Sequence, residues 1–392
     1  MQVLSTIDEL DAKIRECDAA QSDEELRQVF TTFKMDPPAA GGNPFSDDYA
    51  HEQMALYERI SGKSYRVENE VTPLDVDSLV TAPFPYCTHS LQVVGDQLLA
   101  IGSLLRRMKV PTGGRILEFG PGHGNTTLAI AQAGFKVTAV DIEARFCDLI
   151  KRRADRAAVK IEIVNSEFMW AETVKEPYDA VIFFECFHHC SDHMRLLRAL
   201  HGAVKPGGYI YFAGEPITED FPTPWGVRLD GESLWAIRKH GWLELGFKES
   251  YFVNALADAG WSVVRYQSSE TFAAHVWEAQ RMVETDRQSH IRDLRSSLEQ
   301  AQAETTSLQQ ARRTLEDDVA YLHNQFDTLS YSLDTSRNDA LQLQETIKTL
   351  SLSSEALQAQ SESLRTYVDD IRKSTSWKIT APLRALRELF SR

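Results

Sequence analysis

The chain is poor in cysteine. Its five thiols, Cys17, Cys87, Cys147, Cys186 and Cys190, are odd in number and follow no framework spacing. That excludes a disulfide-stapled secreted fold and points to a reducing compartment. No apolar run approaches the roughly 20 residues needed to cross a bilayer. The start, Met1-Gln-Val-Leu-Ser-Thr-Ile-Asp8, lacks the basic-then-apolar pattern of an export signal, so a cytoplasmic protein is expected. Basic residues are outnumbered, 42 Lys and Arg against 57 Asp and Glu, for a formal charge of −15. Without a basic groove such a chain repels phosphate backbones, which argues against nucleic acid as substrate or partner. Proline and glycine are missing throughout 279–373, leaving nothing there to interrupt a helix. What is plentiful is apolar content, 43% of 392 residues, enough for one full α/β domain with substantial material beside it.

The densest signal is Arg115-Ile-Leu-Glu-Phe-Gly-Pro-Gly-His-Gly-Asn125. Arg115 to Phe119 reads as a short buried strand, and Asn125 to Ala133 has helical periodicity. Between them Gly120, Gly122 and Gly124 let a backbone approach a ligand closely, while the helix start offers free N–H groups. A second strand, Phe135 to Val140, ends at Asp141, where a carboxylate can accept both hydrogen bonds of a ribose diol. The glycines run G-x-G-x-G, not the G-x-G-x-x-G of a dinucleotide fold. Glu118, two residues before the first glycine, would repel a pyrophosphate but suits a ligand carrying an ammonium group.

Glu118-Phe-Gly-Pro-Gly-His-Gly124 resembles the first motif of the class I S-adenosylmethionine-dependent methyltransferases. The resemblance covers about residues 85 to 280. It implies an α/β fold built on a Rossmann-like, seven-stranded sheet, with S-adenosylmethionine as cofactor. Lys160 to Val164 takes the place of the third strand, followed by Asn165-Ser-Glu-Phe168, where the family holds the adenine. Asp179 to Cys186 is an almost wholly apolar fourth strand, as suits a sheet covered on both faces. Lys205-Pro-Gly-Gly208 resembles the turn into the fifth strand, Tyr209 to Ala213. Trp261–Tyr266 and Thr271–Trp277 are expected to close the sheet as a reversed pair. The expected cofactor contacts are Glu118, Gly120, Gly122, Gly124, Asp141, Ile142, Glu167, Phe168 and Glu185.

The chemical centre is expected in Glu185-Cys-Phe-His-His-Cys-Ser-Asp-His193, at the carboxyl end of the fourth strand, which faces the ligand in open α/β sheets. Methyl transfer to a hydroxyl requires the hydroxyl to be positioned and its proton removed, and histidine suits the second task. His188 and His189 are adjacent, so only one can face the pocket; His189 is the favoured base and His188 the substitute. The alternative is that one caps or hydrogen-bonds and the other packs against the acceptor. Cys186, Cys190 and the nearby His and Asp could ligate a metal, but no second C-x-x-C or H-x-x-H supports a zinc site. Asp192 with Glu215 could attempt a magnesium site; the prediction is no metal.

Downstream, Glu215 to Asp230 is too long and too aromatic for a plain connector. Trp225, Arg228, Asp230, Trp235, Arg238, His240 and Trp242 cluster within eighteen positions. Flat rings and paired donors of this kind hold sugars, so Trp225, Arg228, Asp230, Arg238 and His240 are the expected acceptor contacts; the alternative is a helical insertion packing its own tryptophans. Residues 1–110 form an N-terminal extension. Ser22-Asp-Glu-Glu25 reads as a capping box opening a helix through Phe33, helices are expected over Tyr49–Ile60 and Ser90–Met108, and Thr81 to His89 is either a lid or a packed connection.

Beyond the 111–282 domain, Ile291, Leu294, Leu298 and their successors recur three and four apart as far as Ile371. No single chain covers such a seam, so 283–371 is expected to be a coiled coil, a dimer or trimer, with a length on the order of 120 Å. The tail 372–392 sets Arg372, Lys373, Lys378, Arg384, Arg387 and Arg392 among Trp377, Ile379, Leu383, Leu386, Leu389 and Phe390. That pattern fits an anionic membrane face, here the inner membrane, or a docking peptide. Phe184 to Cys190 and Trp225 to Trp235 look like methyltransferase domains of bacterial O-antigen and polysaccharide loci. The layout is similar to that of the O-antigen chain-terminating methyltransferases, without their kinase domain. The resemblance implies an O-methyltransferase acting on a glycan acceptor, self-associated, beside a glycosyltransferase or polymerase partner. The competing readings are a coiled-coil scaffold with a vestigial head, and a small-molecule or lipid methyltransferase.

Overall fold

The computed structural model describes residues 1–38, 42–71, 74–282, 347–375 and 377, with separate helical positions between 305 and 330. It divides into two compact units, Met1–Ile291 and Arg292–Arg392.

The first unit begins with β1 (Gln2–Leu4), α1 (Ile7–Asp18), α2 (Asp23–Phe30), β2 (Phe33–Met35), α3 (Asp47–Ser61), α4 (Val76–Leu79) and α5 (Leu91–Arg107). Then come β3 (Arg115–Phe119), α6 (Asn125–Gln132), β4 (Lys136–Asp141), α7 (Ala144–Ala157), β5 (Ile161–Asn165) and β6 (Tyr178–Phe184). It closes with α8 (His193–Ala203), β7 (Val204–Ala213), β8 (Trp225–Val227), α9 (Gly231–Trp235), β9 (Leu245–Phe247), α10 (Glu249–Asp258), β10 (Trp261–Tyr266) and β11 (Val276–Arg281).

Seven strands form one sheet in the order β10-β11-β7-β6-β3-β4-β5. The five from β7 to β5 are parallel, and β11 runs against both β7 and β10. The apolar β6 serves both faces, as its composition requires. Val181 and Phe183 join a core closed by Leu196, Leu197 and Leu200 of α8. Ala180, Ile182 and Phe184 join a second core with Ala100, Ile101 and Leu104 of α5. Strand order reverses between the parallel neighbours β3 and β6, which opens a crevice at their carboxyl ends.

The reversed pair is shifted from its expected place. The last strand starts at Val276, because Phe272–Ala274 forms a 3-10 turn and register pairs Tyr266 with Val276. The Ser22 box is half made: Ser22 accepts from the Glu25 N–H, but the Glu25 carboxylate accepts from the Gln21 N–H. The helix stops at Phe30, because Phe33 is buried in a parallel pairing of β2 with β1. A complete capping box stands instead at Thr6 and Glu9.

The N-terminal extension and the 215–248 segment pack as one body. The Tyr49 hydroxyl donates to the Trp225 carbonyl at 2.7 Å, and the Tyr57 hydroxyl to the Gly241 carbonyl at 2.5 Å. The Met35 N–H donates to the Leu229 carbonyl at 2.9 Å.

In the second unit, Ile347–Lys373 is one helix. Its seam positions Leu357, Leu364, Val368 and Ile371 are exposed, as are Leu308, Leu315, Val319, Phe326 and Leu329. The seam positions 291–301 and 333–343, and tail residues 378–392, lie outside the described residues. Among the described residues no helix is long and apolar enough to cross a membrane.

Candidate active site

A cavity of about 540 Å³ opens at the carboxyl ends of β3, β4 and β6. Its floor is the glycine turn. Gly120 has φ +57°, and a Cβ there would stand 2.6 Å from the Cys186 Cβ, so only glycine fits. Gly122 has φ +50° and would meet nothing within 4 Å; its bare backbone faces open space. Behind it α6 starts at Gly124 with no side chain capping its N–H groups.

Asp141 ends β4 beside this turn and lines the cavity. Its Oδ2 accepts from the Gly122 N–H at 3.1 Å and its Oδ1 from the Glu143 N–H at 2.9 Å, which fixes the carboxyl group. Burial pushes its pKa up to about 6. Ile142, Glu167 and Phe168 follow along the wall, with the Phe168 ring 5.9 Å from that of Phe119. Glu185 also lines the cavity; it sits in the left-handed region at φ +52°, and burial raises it to about 7.

Two expected contacts lie behind the wall. Glu118 is fully buried and accepts from the Thr127 hydroxyl at 2.5 Å, so it braces α6 from within. Burial raises it to about 7. A Cβ on Gly124 would strike the Ile150 side chain at 2.7 Å, which makes that glycine a packing requirement. Thr81–His89 touches the turn without lining the cavity: the Asn125 side-chain amide donates to the Phe84 carbonyl at 2.7 Å.

These residues fit S-adenosylmethionine. A bare glycine floor, a fixed carboxylate at the β4 tip and a further acid on the wall suit an adenosine with a cationic tail. When bound, the cofactor supplies an electrophilic methyl group on a sulfonium. Asp141 and Glu185 serve a diol and a cation best as carboxylates, and both are raised. Lowering pH therefore protonates them and weakens binding; raising it restores affinity until both are ionised. Cofactor affinity by calorimetry is expected to be constant above about pH 8 and to fall about tenfold or more by pH 5.5, with proton release on binding between pH 6 and 7.

The two histidines stand on the 3-10 turn Phe187–His189 after β6. His189 lines the cavity. Its Nδ1 is 2.7 Å from the Leu243 carbonyl, which can only accept, so Nδ1 carries the proton. Nε2 has no protein partner among the described residues and is left as the acceptor. Burial lowers its pKa to about 3, with His188 adding to the shift, so the ring is neutral at any working pH. His188 does not reach the cavity. It lies between Glu215, 2.8 Å from Nδ1, and Glu244, 3.7 Å from Nε2. Although burial opposes its charge, these acids raise its pKa.

The expected acceptor set lies elsewhere, a correction with a common cause: each member is committed to the scaffold, and none lines the cavity. Trp225 is buried and its indole N–H donates to the Pro44 carbonyl at 2.8 Å. Asp230 caps α9 by accepting from the Ser233 N–H and pairs with Arg228, which also approaches Glu244 at 3.5 Å. Arg238 makes two bonds to Asp11 of α1, at 2.7 and 3.0 Å. His240 stacks on Trp242 at 4.6 Å. The cavity is lined instead by Tyr65, Val67, Glu70 and Leu74 of the extension, with Trp242. No motif announces Tyr65 or Glu70, because a 3-10 turn at Val67–Glu70 has no periodicity to read.

For a metal, Asp192 and Glu215 are not a pair. Asp192 caps α8, and Glu215 accepts from the N–H groups of Cys186, Phe187 and His188 as well as from the His188 ring. His188, His189 and Glu244 do bring one ligand atom each within 4.8 Å. Arg228 beside Glu244 places a fixed positive charge there, so this group reads as a hydrogen-bonded network.

Residues 96–266 match a family described as a methyltransferase domain. Ubiquinone biosynthesis O-methyltransferases of Escherichia coli strains are 25% identical over 178 residues, covering 44% of this chain and 64% of theirs. The chain thus spans just under two thirds of those relatives. Among solved structures, a methyltransferase of Aquifex aeolicus is 16% identical, with a TM-score of 0.37, covering 53% of this chain and 98% of that one. A 1,6-didemethyltoxoflavin N1-methyltransferase of Burkholderia thailandensis is 18% identical, also with a TM-score of 0.37, over 54% of this chain and 93% of that one. With the sheet order, glycine turn and Asp141 in place, the chain carries a class I S-adenosylmethionine-dependent methyltransferase domain.

Proposed function

We propose that the protein is an O-methyltransferase that moves the methyl group of S-adenosylmethionine to a sugar hydroxyl of a bacterial cell-surface polysaccharide, working as a self-associated enzyme beside the inner membrane. One observation carries the reaction class: a single cavity is lined by both Asp141 and His189, and the His189 Nδ1 is tied to the Leu243 carbonyl. A neutral imidazole with its donor side tied to a carbonyl is oriented to take a proton, and general-base help of this kind is typically worth about 10²–10⁴-fold.

The glycan acceptor is supported by the likeness of Phe184–Cys190 and Trp225–Trp235 to polysaccharide-locus enzymes and by the exposed seam of the second unit. A seam of that kind holds copies together, and a basic, aromatic tail beyond it suits an anionic lipid face or a glycosyltransferase partner. The Escherichia coli relatives, named for ubiquinone biosynthesis, favour a second reading in which the acceptor is a small lipid.

Purified protein with methyl-tritiated S-adenosylmethionine and a membrane extract of the host bacterium separates the two. Label is expected in the glycan fraction and is expected to vanish with Asp141→Ala. Label in the lipid fraction would establish the second reading, and cofactor binding with no transfer to any fraction would favour a scaffold.

A further inference from the structure

The sequence offers no partner for His189, yet the fold brings one from more than a hundred residues away. Glu70 ends the short 3-10 turn of the N-terminal extension, lines the cavity, and has a side chain only 13% exposed. Its Oε2 lies 3.4 Å from Nδ1 of His189, and its Oε1 accepts from the Leu243 N–H at 2.9 Å. The same Leu243 presents its carbonyl to the His189 ring. Tyr65, five residues before Glu70, donates its hydroxyl to the His189 carbonyl at 3.2 Å. The extension therefore grips the base at ring and backbone together.

A partly buried neutral imidazole with its pKa near 3 is oriented but weak, because a proton arriving at Nε2 creates a charge that little solvent is there to spread. We propose that Glu70 is the positioning residue that completes a relay: His189 takes the acceptor's proton at Nε2 and releases its Nδ1 proton to the Glu70 carboxylate. The reading rests on His189 being the base. The steps balance. The acceptor oxygen bonds to the methyl carbon and loses its proton, while the carbon–sulfur electron pair stays on the sulfur. Nε2 gains a hydrogen, Nδ1 gives one up, and Glu70 ends neutral beside a neutral ring. No charge accumulates on the imidazole.

The groups facing Glu70 set its titration. The Leu243 N–H and the nearby Tyr65 hydroxyl pull its pKa down, and the negative charge of Glu244 pushes it up. Beyond the ring lie His188 with Glu215 and Arg228, and Cys190 stands next to Tyr65. Burial dominates and holds the Glu70 carboxyl well above its ordinary range. The relay needs the carboxylate, so turnover rises with pH through the titration of Glu70 and then levels.

The test uses the full chain, methyl-tritiated S-adenosylmethionine at saturation, and host membrane extract as acceptor source, from pH 5.5 to 9. Saturation removes the pH effect on cofactor affinity. Glu70→Gln keeps the shape but cannot take a proton. It is expected to lower turnover at least tenfold at the plateau and to flatten the acid limb, with cofactor affinity and thermal midpoint kept; Glu70→Asp restores part of both. Wild-type turnover with an unchanged limb in Glu70→Gln would overturn the relay. So would a loss that tracks unfolding or weakened cofactor binding. His189→Gln tells the two readings apart. If it is inactive while Glu70→Gln is normal, only the relay fails; if it turns over normally, the base assignment itself fails.

Discussion

Replacing His189 with glutamine is expected to slow methyl transfer about 10²–10⁴-fold while cofactor affinity stays within a factor of about two. The selectivity of the loss follows from placement. Asp141 is fixed by the Gly122 and Glu143 N–H groups and His189 by the Leu243 carbonyl, so the substitution removes a proton acceptor without breaking a contact of Asp141 or the glycine turn. The neighbouring histidine should behave in the opposite way. His188 is buried between Glu215 and Glu244, and Glu215 also gathers three backbone N–H groups. Removing one member of such a buried pair leaves the other charge uncompensated, at a cost of about 3–5 kcal/mol. His188→Ala should therefore reveal itself in the thermal midpoint first, and His189→Gln in the rate alone. Equal losses of rate with intact folding in both variants would sink the division of roles.

The second large effect is expected in the second unit. Leu357→Asp with Leu364→Asp should convert a self-associated protein into monomers, read as molar mass by light scattering. Both leucines are about half exposed on the helix Ile347–Lys373 and occupy the repeating apolar positions of its seam. Full burial of a leucine contributes about 1.5–3 kcal/mol. In a self-associated protein each substitution acts in every copy, and the carboxylate adds a desolvation cost. A dimer needs about 8 kcal/mol to hold at micromolar concentration, so the pair of changes is sufficient to release it. The released head should still methylate short acceptors. An unchanged mass would mean that the seam is covered by something other than a second copy.

The glycine turn and the acid at the β4 tip were legible in the sequence and the Tyr65–Leu74 wall of the cavity was not, for a physical reason. Strand, glycine turn, helix and the acid at the next strand tip occupy the unbroken run 115–141, where local rules of backbone geometry dictate residue type. The apolar run 179–184 likewise announced a strand covered on both faces. Another part of the cavity wall comes from 65–74, 185–192 and 242, three segments whose meeting depends on long-range packing. Trp225, Arg228 and Arg238 have the composition of a sugar site, yet composition does not distinguish a residue that grips a ligand from one that grips Pro44, Glu244 or Asp11. Glu118 shows the same limit at close range: it stands near the end of the strand before the glycine turn, but its side chain turns inward to Thr127.

Glu185 sets stability against chemistry at a single torsion. A side chain held in the left-handed region costs about 1–2 kcal/mol, and a glycine there would relax the backbone. The turn is tight enough that Gly214, packed against the Glu185 stem, has no room for a Cβ of its own. Selection of this chain for heat resistance alone would therefore drift toward Glu185→Gly, gaining a firmer fold and discarding a carboxyl group from the cavity wall. Libraries screened only for melting temperature would enrich proteins that fold better with one acid fewer on the cavity wall.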